Sequence, residues 1–253
     1  MSMLITSRKN QALAAYRELN RDRKQREAGR KFNIEGVRLC EEALTAGLTI
    51  TAAFMTETAE RRYPELCERL AHITITDEIG GYIADTKTPQ GVFATAEMPE
   101  REFVPDGDGL ILLDGLQDAG NVGTVIRTAE ALGIGGAVLS PDCADIWSPK
   151  VVRGAMGSLF RLPVTVTPLP EFIKRIRADG YRVYAAVLNE KARSIDDTEL
   201  SGKCAVVIGN EGNGVSPEVI NSADADIYIP IRKAESLNAA IAAAIFCNEM
   251  RRK

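Results

Sequence analysis

The sequence is short of the residues that most catalytic and metal sites need. It contains one histidine, His72, and five scattered cysteines, with no Cys-x-x-Cys pair. This excludes a zinc site and a disulfide framework, so we expect no metal. A catalytic mechanism based on histidine is also disfavoured, because only one histidine is present. His72 lies in the predicted strand HITIT and is interpreted as an ordinary half-buried residue.

A long apolar run is also lacking. No stretch reaches the ~20 residues that span a membrane, and the start, MSMLITSRKNQALAAY, has no apolar signal core before a cleavage site. Of the 253 residues, 45% are hydrophobic and 26% are charged, which is typical of a soluble globular protein. We therefore expect a cytoplasmic protein without membrane contact, of one large or two unequal domains.

Charge is unevenly distributed along the chain. The net charge is −4, but residues 7–38 hold ten Lys and Arg against four acids, so this segment is +6 and the remainder is −10. A basic face on an acidic protein is typical of a localised contact with RNA phosphates. A solvated helix rich in arginine is the alternative. The candidate RNA-binding residues are Arg8, Lys9, Arg23, Lys24, Arg26 and Arg30.

The first hundred residues predict a small α/β domain. Ser7 is predicted to cap the first helix, and the helix in EGVRLCEEALTAGL ends at Gly47. ITAAFMT and HITIT are predicted strands. The segment EMPEREFVPDGDG is rich in proline, glycine and acids and has no periodicity, which predicts a linker. The predicted organisation is a domain at 1–98, a linker at 99–108 and a domain at 109–253.

Repeated strand-then-helix units follow the linker. Six short, largely unalternating apolar runs predict strands covered on both faces, namely GLILLD, GGAVLS, LPVTVT, YRVYAAVL, KCAVVIG and DIYIPI. Helical patterns lie between most of them, and an Ala-rich helix closes the chain. The fold class is therefore α/β, with a parallel sheet of about six strands and helices on both sides.

Three loops at predicted strand ends are polar or rich in glycine, and such ends are where open α/β sheets bind ligands. In LDGLQDAGNVGTVIRTAEALG, Asn121 is predicted to cap a helix and Arg127 lies near its amino end, where it helps to hold an anion. A capped helix with an exposed arginine is the structural alternative.

The second loop is VVIGNEGNGVS, in which three glycines surround Glu211 directly after a buried strand. The loop suits close approach to a small ligand, and a plain glycine-rich turn is the alternative. It is neither a P-loop nor a dinucleotide fingerprint. In the third loop, IPIRKAESLNAAIAAAI, Ser236 is predicted to cap the last helix and Asn238 lies in its first turn, and a capped core helix is the alternative.

Together the three loops resemble the signature motifs of the SpoU, or TrmH, family of the SPOUT methyltransferase superfamily. The pattern N-x-G-x-x-x-R is similar to Asn121, Gly123 and Arg127; G-x-E-G-x-G to Gly209, Glu211, Gly212 and Gly214; and I-P…S-L-N to Ile229, Pro230, Ser236, Leu237 and Asn238. The stretch GRKFNIEGVRLCEEAL is similar to the substrate-binding domain that precedes many members. The chain departs from the pattern at Ala119, where many members have proline, and in a third motif one residue shorter than usual.

The resemblance implies a carboxyl-terminal trefoil knot, a homodimer and S-adenosylmethionine as cofactor. The implied activity is methylation of an RNA ribose 2′-oxygen, on ribosomal RNA and often at a guanosine. The implied cofactor-binding residues are Leu188, Gly209, Asn210, Gly212, Ile229 and Leu237. The implied catalytic residues are Arg127, Asn121, Glu211, Ser236 and Asn238.

Arg127 is the central residue of the implied reaction. Because a guanidinium holds its proton strongly, we assign Arg127 to phosphate orientation and stabilisation of oxyanion charge, and leave the proton acceptor open. The alternatives are a catalytically silent RNA-binding paralogue, which loss of Arg127 or Asn238 would favour, and a Rossmann-type oxidoreductase that binds NAD. Transfer RNA is the alternative substrate.

Overall fold

The computed structural model describes residues 4–233 and 236–251. The strands of the described residues are β1 (Leu4–Ile5), β2 (Lys31–Glu35), β3 (Ile50–Thr56), β4 (Ile73–Ile75), β5 (Val92–Glu97), β6 (Gly109–Leu113), β7 (Gly136–Leu139), β8 (Val164–Val166), β9 (Arg182–Ala186), β10 (Arg193–Ser194), β11 (Cys204–Ile208) and β12 (Ala225–Tyr228). The helices are α1 (Gln11–Arg21), α2 (Arg23–Gly29), α3 (Val37–Thr45), α4 (Glu57–Arg62), α5 (Pro64–Arg69), α6 (Asp77–Ile83), α7 (Ala119–Ala131), α8 (Pro149–Ala155), α9 (Leu169–Ala178), α10 (Pro217–Ser222) and α11 (Ala239–Arg251).

Contacts divide the chain into two compact units. Unit 1 comprises the described residues up to Glu100 together with Asp145–Phe160, and unit 2 comprises Arg101–Ala144 and the described residues from Arg161 onward. The sequence predicts one domain boundary, at the linker 99–108. In the structure α8, which follows that linker in the chain, belongs to unit 1 and contacts β2. Periodicity locates a helix along the chain but does not say which sheet the helix packs on.

Unit 1 contains a five-stranded mixed sheet in the order β1-β4-β3-β5-β2. The strands β1, β4 and β3 are parallel, and β5 runs antiparallel to both β3 and β2. The two predicted strands, ITAAFMT and HITIT, are β3 and β4. The sequence pattern did not reveal the edge strand β2 or its neighbour β5.

A buried polar network explains why β2 escaped the hydrophobic pattern. Asn33 of β2 is buried, and its amide nitrogen donates to the carbonyl oxygen of Tyr16 at 2.6 Å and to the side chain of Asn20 at 2.8 Å. The hydroxyl of Thr95 on β5 donates to the other amide atom, Oδ1, at 2.8 Å. A buried polar group costs little folding free energy once it is hydrogen-bonded, so these strands can have polar residues in the core. A search for apolar residues along the sequence interprets such strands as loops.

The ring of His72 also lies in unit 1 and is partly buried, as predicted. Its two nitrogens are within hydrogen-bonding distance of the Leu70 carbonyl, at 2.7 Å, and of the Glu60 carboxylate, at 3.0 Å. Both contacts join elements of the same unit, so the ring has a structural role.

Unit 2 contains an all-parallel seven-stranded sheet in the order β10-β12-β9-β11-β6-β7-β8. The six predicted strands are present, and the two-residue strand β10 joins the edge beside β12. The central strands β6 and β11 pair over five residues each. All carboxyl ends lie at one edge of this sheet, because the strands are parallel.

Helices cover both faces of the unit 2 sheet, as predicted. Leu110 and Leu112 of β6 lie in an apolar cluster with Phe172 of α9. Gly109 points to the opposite face of the sheet, and a Cβ there would lie 3.7 Å from the Met250 sulfur of α11. The parallel sheet is therefore buried on both sides, which accounts for the unalternating apolar runs. No helix of the described residues is long and apolar enough to cross a membrane.

Three predicted helix caps are wrong. The α1 helix is capped by Asn10 rather than Ser7, because the Asn10 side chain accepts from the Ala12 N–H at 2.9 Å. Asp118, not Asn121, caps α7 and accepts from the Asn121 N–H at 2.9 Å. The side chain that accepts from the first turn of α11 belongs to Asn238 rather than Ser236. Several adjacent polar residues suit a cap, and the path of the chain selects among them.

The second half of the predicted linker lies along unit 2. Phe103 packs edge-on against Phe172, with ring centroids 5.7 Å apart, and the Asp106 N–H donates to the Gly135 carbonyl at 2.8 Å. A Cβ on Gly135 would lie 2.5 Å from the carbonyl oxygen of Gly107, so a glycine is needed at position 135. The segment is irregular in conformation, as predicted, and is ordered by these contacts.

Candidate active site

Three loops follow strands at the carboxyl edge of the unit 2 sheet. Loop A (residues 114–118) joins β6 to α7, loop B (residues 209–214) follows β11, and loop C (residues 229–238, of which 234 and 235 lie outside the described chain) joins β12 to α11. The shortened stretch of the third motif includes those two residues. Since β6, β11, β9 and β12 are neighbours in the sheet, the loops emerge side by side.

Loop A is tied to the loop that follows β7. The Gly115 N–H donates to the hydroxyl of buried Ser140 at 2.8 Å, and the Leu116 N–H donates to the Cys143 sulfur at 3.2 Å. Burial raises the pKa of the Cys143 thiol, so it stays protonated and donates to the Leu113 carbonyl at 3.3 Å. Sequence analysis missed Ser140 and Cys143. Their position just after a buried strand was the available signal.

Loop A is also tied to the segment that follows loop B. The carboxylate of Asp114 is 8% exposed and accepts from the Ser216 N–H at 2.7 Å. A buried carboxylate is retained when it accepts such hydrogen bonds, because leaving it unpaired is costly. Asp114 therefore fixes the spacing of loops A and B, a role that sequence analysis did not assign.

Loop B folds back on itself over Gly209. A Cβ at Gly209 would lie 2.1 Å from the carbonyl carbon of Gly214 and 2.2 Å from the backbone nitrogen of Val215. Both atoms belong to the backbone and have little freedom to move aside. The first glycine of the loop is therefore required by the close approach of two backbone segments.

Asn210 holds the shape of loop B and its place beside loop A. Its backbone pairs with Gly214 through two hydrogen bonds of 3.0 and 2.9 Å. Its amide nitrogen donates to the Gly115 carbonyl at 2.7 Å, and its amide oxygen accepts from the N–H groups of Gly212 at 2.8 Å and Asn213 at 3.1 Å. The observed role of this predicted cofactor-binding residue is thus to order the loop.

One side chain from each motif joins a single hydrogen-bonded chain. The Asn121 amide donates to the Glu211 carboxylate at 2.7 Å, and the Asn238 amide donates to the Asn121 amide oxygen at 3.1 Å. The Asn238 amide oxygen accepts from the Ala240 and Ile241 N–H groups at 3.0 and 3.3 Å. Because a carboxylate only accepts and a backbone N–H only donates, both amide orientations are determined. We call this chain the motif network.

Arg127 stands apart from the motif network. It lies on α7 six residues after Asn121, about 9 Å along the helix axis at 1.5 Å per residue, and its side chain is exposed. Within residues 4–233 and 236–251 it forms no hydrogen bond or ion pair. The guanidinium is therefore available to an anionic ligand.

An apolar cavity of about 170 Å³ opens beside loop C. Three predicted cofactor-binding residues line it: Leu188, which is 70% exposed, Ile229 and Leu237. Ser236 also lines it, whereas Gly209, Asn210 and Gly212 do not. Residues that the sequence analysis missed complete the wall, among them Ala186, Val187, Tyr228 and Phe246. The volume is below the ~300–1,000 Å³ of a whole-ligand pocket, so the cavity suits one flat apolar part of a larger ligand.

No group of three or more His, Cys, Asp or Glu side chains in the described residues is arranged to hold a metal ion. The polar side chains of the motif network, together with Arg127, are two amides, one carboxylate and one guanidinium.

The predicted RNA-binding residues lie in unit 1, and one of them is not available. Arg26 is 4% exposed. Its guanidinium donates to the Asp145 carboxylate at 2.9 Å through Nε and at 2.6 Å through Nη2, and Nη1 donates to the Leu19 carbonyl. All three nitrogens are used inside the unit, so Arg26 must be removed from the predicted set. The sequence could not reveal this burial, because Arg26 lies in the same basic helical segment as its exposed neighbours.

The other candidates lie at the surface. Lys9 and Lys24 are exposed. Arg8 pairs with Glu78 at 2.7 Å, Arg23 with Glu27 at 2.7 Å, and Arg30 with Glu100 at 3.3 Å, all with side chains about half exposed. The hydrogen bond to Glu27 raises the pKa of Arg23. Exposed ion pairs contribute little stability, so these cations can exchange their partners for phosphates.

An all-parallel α/β sheet with three converging polar loops at its carboxyl edge defines a ligand-binding enzyme domain. Residues 109–248 match the SpoU rRNA Methylase family, and residues 10–94 match the MRM3-like substrate binding domain. The chain belongs to the SpoU rRNA methylase family.

Named relatives and solved structures agree with this assignment. The chain is 34% identical to the 23S rRNA (guanosine(2553)-2'-O)-methyltransferase RlmP of Bacillus subtilis over 98% of both chains. It is 28% identical to the 23S rRNA (uridine(2479)-2'-O)-methyltransferase of Streptomyces viridochromogenes over 97% of this chain and 90% of the relative. The crystal structure of an AdoMet-bound rRNA methyltransferase from Sinorhizobium meliloti superposes with a TM-score of 0.87 at 30% identity, over 98% and 97% of the two chains.

Proposed function

We propose that the protein transfers a methyl group from S-adenosylmethionine to a ribose 2′-oxygen of ribosomal RNA. The observation that carries the proposal is the motif network, in which side chains of all three motifs meet beside an apolar cavity. The relatives named above are 2′-O-methyltransferases of 23S rRNA, so we take 23S rRNA as the substrate and the cytoplasm as the location.

The residues around the apolar cavity fit a cofactor with a flat heterocyclic part. Leu188, Ile229 and Leu237 offer apolar side chains to such a group. When bound, S-adenosylmethionine supplies a sulfonium methyl group to an attacking oxygen and departs as a neutral thioether. The chain's own residues must therefore bind the cofactor, orient the ribose and handle the hydroxyl proton.

Arg127 is proposed to orient a substrate phosphate and to stabilise negative charge on the ribose oxygen. A guanidinium offers up to five donors in a fixed fork and keeps its proton, so it serves as an electrostatic group rather than as a base. Asn121, Glu211 and Asn238 are proposed to keep the three loops in register, and Ser236 to hold the nucleotide. The motif network supports this division of roles because it links the loops without using Arg127.

The test of the proposed function is a map of ribose methylation in a deletion strain. One 2′-O-methyl group should be missing from 23S rRNA, and plasmid-borne wild-type protein should restore it. An unchanged ribosomal RNA map would contradict the proposal. If the missing methyl group is found in transfer RNA instead, the proposed reaction holds and the substrate is transfer RNA.

The exposed cations of unit 1 are proposed to bind RNA phosphates. Reversal of Lys9, Arg23 and Lys24 to glutamate should weaken binding of unmodified 23S rRNA by about tenfold or more and reduce the slope of log affinity against log salt by about 0.7–0.9 per lost contact. The matched control reverses Arg61, Arg62 and Arg69, exposed cations on α4 and α5 of the same unit. Equal binding by both triple variants in a filter assay would rule out this RNA-binding surface.

The carboxyl-terminal part of the chain is proposed to form the trefoil knot of the family. In support, β12 lies beyond β9, on one side of β11, yet α11 returns to pack against α7, β6 and β11. The chain thus crosses the sheet after its last strand. A crystal structure of the cofactor-bound protein would trace the path directly.

We also propose a homodimer that uses α11. Ile241 on this helix is 53% exposed, and small or apolar side chains follow it. Sedimentation at micromolar concentration should give a dimer for the wild type and a shift toward monomer for Ile241→Lys, because a buried unpaired charge is costly. A fully active wild-type monomer would refute the dimer.

A further inference from the structure

A second cavity lies in unit 1, and none of the surface cations discussed above lines it. It has a volume of about 280 Å³ and opens where β2 runs into α3, beside the loop that follows α6 and the end of α8. Its polar lining residues are Glu35, Arg38, Thr86, Thr88, Gln90 and Arg153. None of them belongs to the predicted RNA-binding set or to the three motifs.

Arg153 carries a buried donor that lacks an acceptor. Its Nη2 atom pairs with the Asp85 carboxylate at 2.7 Å. Its Nη1 atom is buried and has no hydrogen-bond partner in the described residues. An unpaired buried donor costs about 1–3 kcal/mol, and more when the group is charged. Arg153, whose side chain is 28% exposed and lines the cavity, therefore has hydrogen-bonding capacity that Asp85 does not use.

The carboxylates around the cavity are already paired. Glu35 accepts from the backbone N–H groups of Asp85 at 2.8 Å and Thr86 at 3.3 Å, and from the Thr86 hydroxyl. Asp85 in turn pairs with Arg153. Arg38 is exposed and forms no hydrogen bond or ion pair among the described residues. The cavity therefore presents the free guanidinium of Arg38 to an anion, and the partly exposed side chain of Arg153 lies in the same wall.

Other lining residues suit the remainder of a nucleotide. Gln90 uses its amide oxygen to accept from the Val37 N–H at 3.0 Å, which leaves its two amide hydrogens for an incoming acceptor. Leu39 and Met156 give the cavity an apolar wall. Met156 has a φ of 49° because it caps the carboxyl end of α8 in the left-handed conformation, and this turn places it at the cavity.

We propose that this cavity binds one nucleotide of the RNA substrate, with Arg38 and Arg153 on its phosphate and Leu39 and Met156 against its sugar or base. Guanidinium groups match phosphate oxygens in geometry and charge, and a base held in a pocket outside its stack packs between aromatic or apolar side chains. The inference rests on the proposed function for the identity of the RNA. It adds a subsite to unit 1. One wall of this subsite comes from α8, which belongs to unit 1 although its residues lie within the range that matches the methylase family.

The test compares three full-length variants for binding to unmodified 23S rRNA transcript. Arg38→Gln removes the free guanidinium, and Thr88→Asp places a negative charge at the cavity without removing a packed group. Arg69→Gln is the matched control, an exposed arginine of the same unit. Arg38→Gln should bind about tenfold more weakly than the control, as expected for a lost hydrogen bond to a charged group. Its salt slope should fall by about 0.7–0.9. Thr88→Asp should also weaken binding, and all three should bind S-adenosylmethionine with the wild-type Kd.

The inference is overturned if Arg38→Gln and Thr88→Asp both bind RNA as the control does. A second result would also overturn the inference. If GMP protects the wild type but not Arg38→Gln from thermal unfolding, and both proteins bind RNA equally well, the cavity binds a free nucleotide rather than RNA. Methyl transfer by the wild type is measured separately. Its absence would refute the proposed function, while the binding comparison would still decide whether the cavity contacts RNA.

Discussion

Replacement of Arg127 by alanine should abolish most methyl transfer while S-adenosylmethionine binding persists. Arg127 lies on α7 and does not line the apolar cavity, whose walls come from β9, β12, loop C and α11. The residues proposed to bind the cofactor therefore differ from the one proposed to stabilise charge. Loss of one preorganised donor to a developing oxyanion typically lowers the rate by about a hundred- to a thousandfold.

Arg127→Lys should be nearly as inactive as Arg127→Ala. An ammonium group is a compact point charge and cannot reproduce the bidentate fork that holds a phosphate in one orientation. Recovery of the rate by lysine would mean that positive charge alone suffices. In that case the proposed geometric role would be wrong.

The Arg127 measurements combine calorimetric titration of S-adenosylmethionine with tritiated-methyl transfer to ribosomal RNA from a deletion strain. Arg182→Ala is the control, an exposed arginine at the start of β9 and thus at the opposite edge of the same sheet. It should leave both quantities near wild type. A loss of cofactor binding in Arg127→Ala, or retention of more than about a tenth of the rate, would contradict the role given to this residue.

Removal of Arg26 should destabilise unit 1 rather than weaken RNA binding directly. The Arg26 and Asp145 side chains are 5% and 14% exposed, and two guanidinium nitrogens of Arg26 donate to the same carboxylate oxygen of Asp145. Arg26→Met leaves the Asp145 charge buried without its partner. Breaking a buried pair in this way costs about 3–5 kcal/mol.

Two comparisons separate charge burial from lost packing. Arg23→Met removes a pair with Glu27 whose side chains are 47% and 57% exposed, and it should change stability by no more than about 0.5 kcal/mol. Asp145→Asn added to Arg26→Met removes the uncompensated charge and should recover part of the loss. Scanning calorimetry measures all three. A small shift for Arg26→Met would mean that water or another group solvates Asp145.

Arg26 also shows how far charge patterning can be trusted. The sequence correctly indicates that the segment 7–38 is basic, but Arg26 and its neighbours Arg23 and Lys24 look alike in one dimension. Only the position of Asp145, more than a hundred residues later, distinguishes the buried cation from the exposed ones.

Sequence motifs were informative where the chemistry of a residue fixes its surroundings. Gly209 is required by backbone contact, and Asn121, Glu211 and Asn238 meet as expected for residues at neighbouring strand ends. Their catalytic and positioning roles stay proposals. The caps were less predictable, since Asp118 and Asn121 are equally good capping residues and only the turn geometry places one of them at the helix start.

By itself, the sequence determined the parallel sheet of unit 2, the order of its helices and the three motif loops, because short apolar runs and glycine-rich loops follow from local burial and backbone sterics. Tertiary structure alone decided that α8 belongs with unit 1, that Arg26 is buried and that Arg153 and Arg38 share a cavity. Each of these depends on side chains far apart in the chain, whose pairing is set by packing and charge compensation rather than by local pattern.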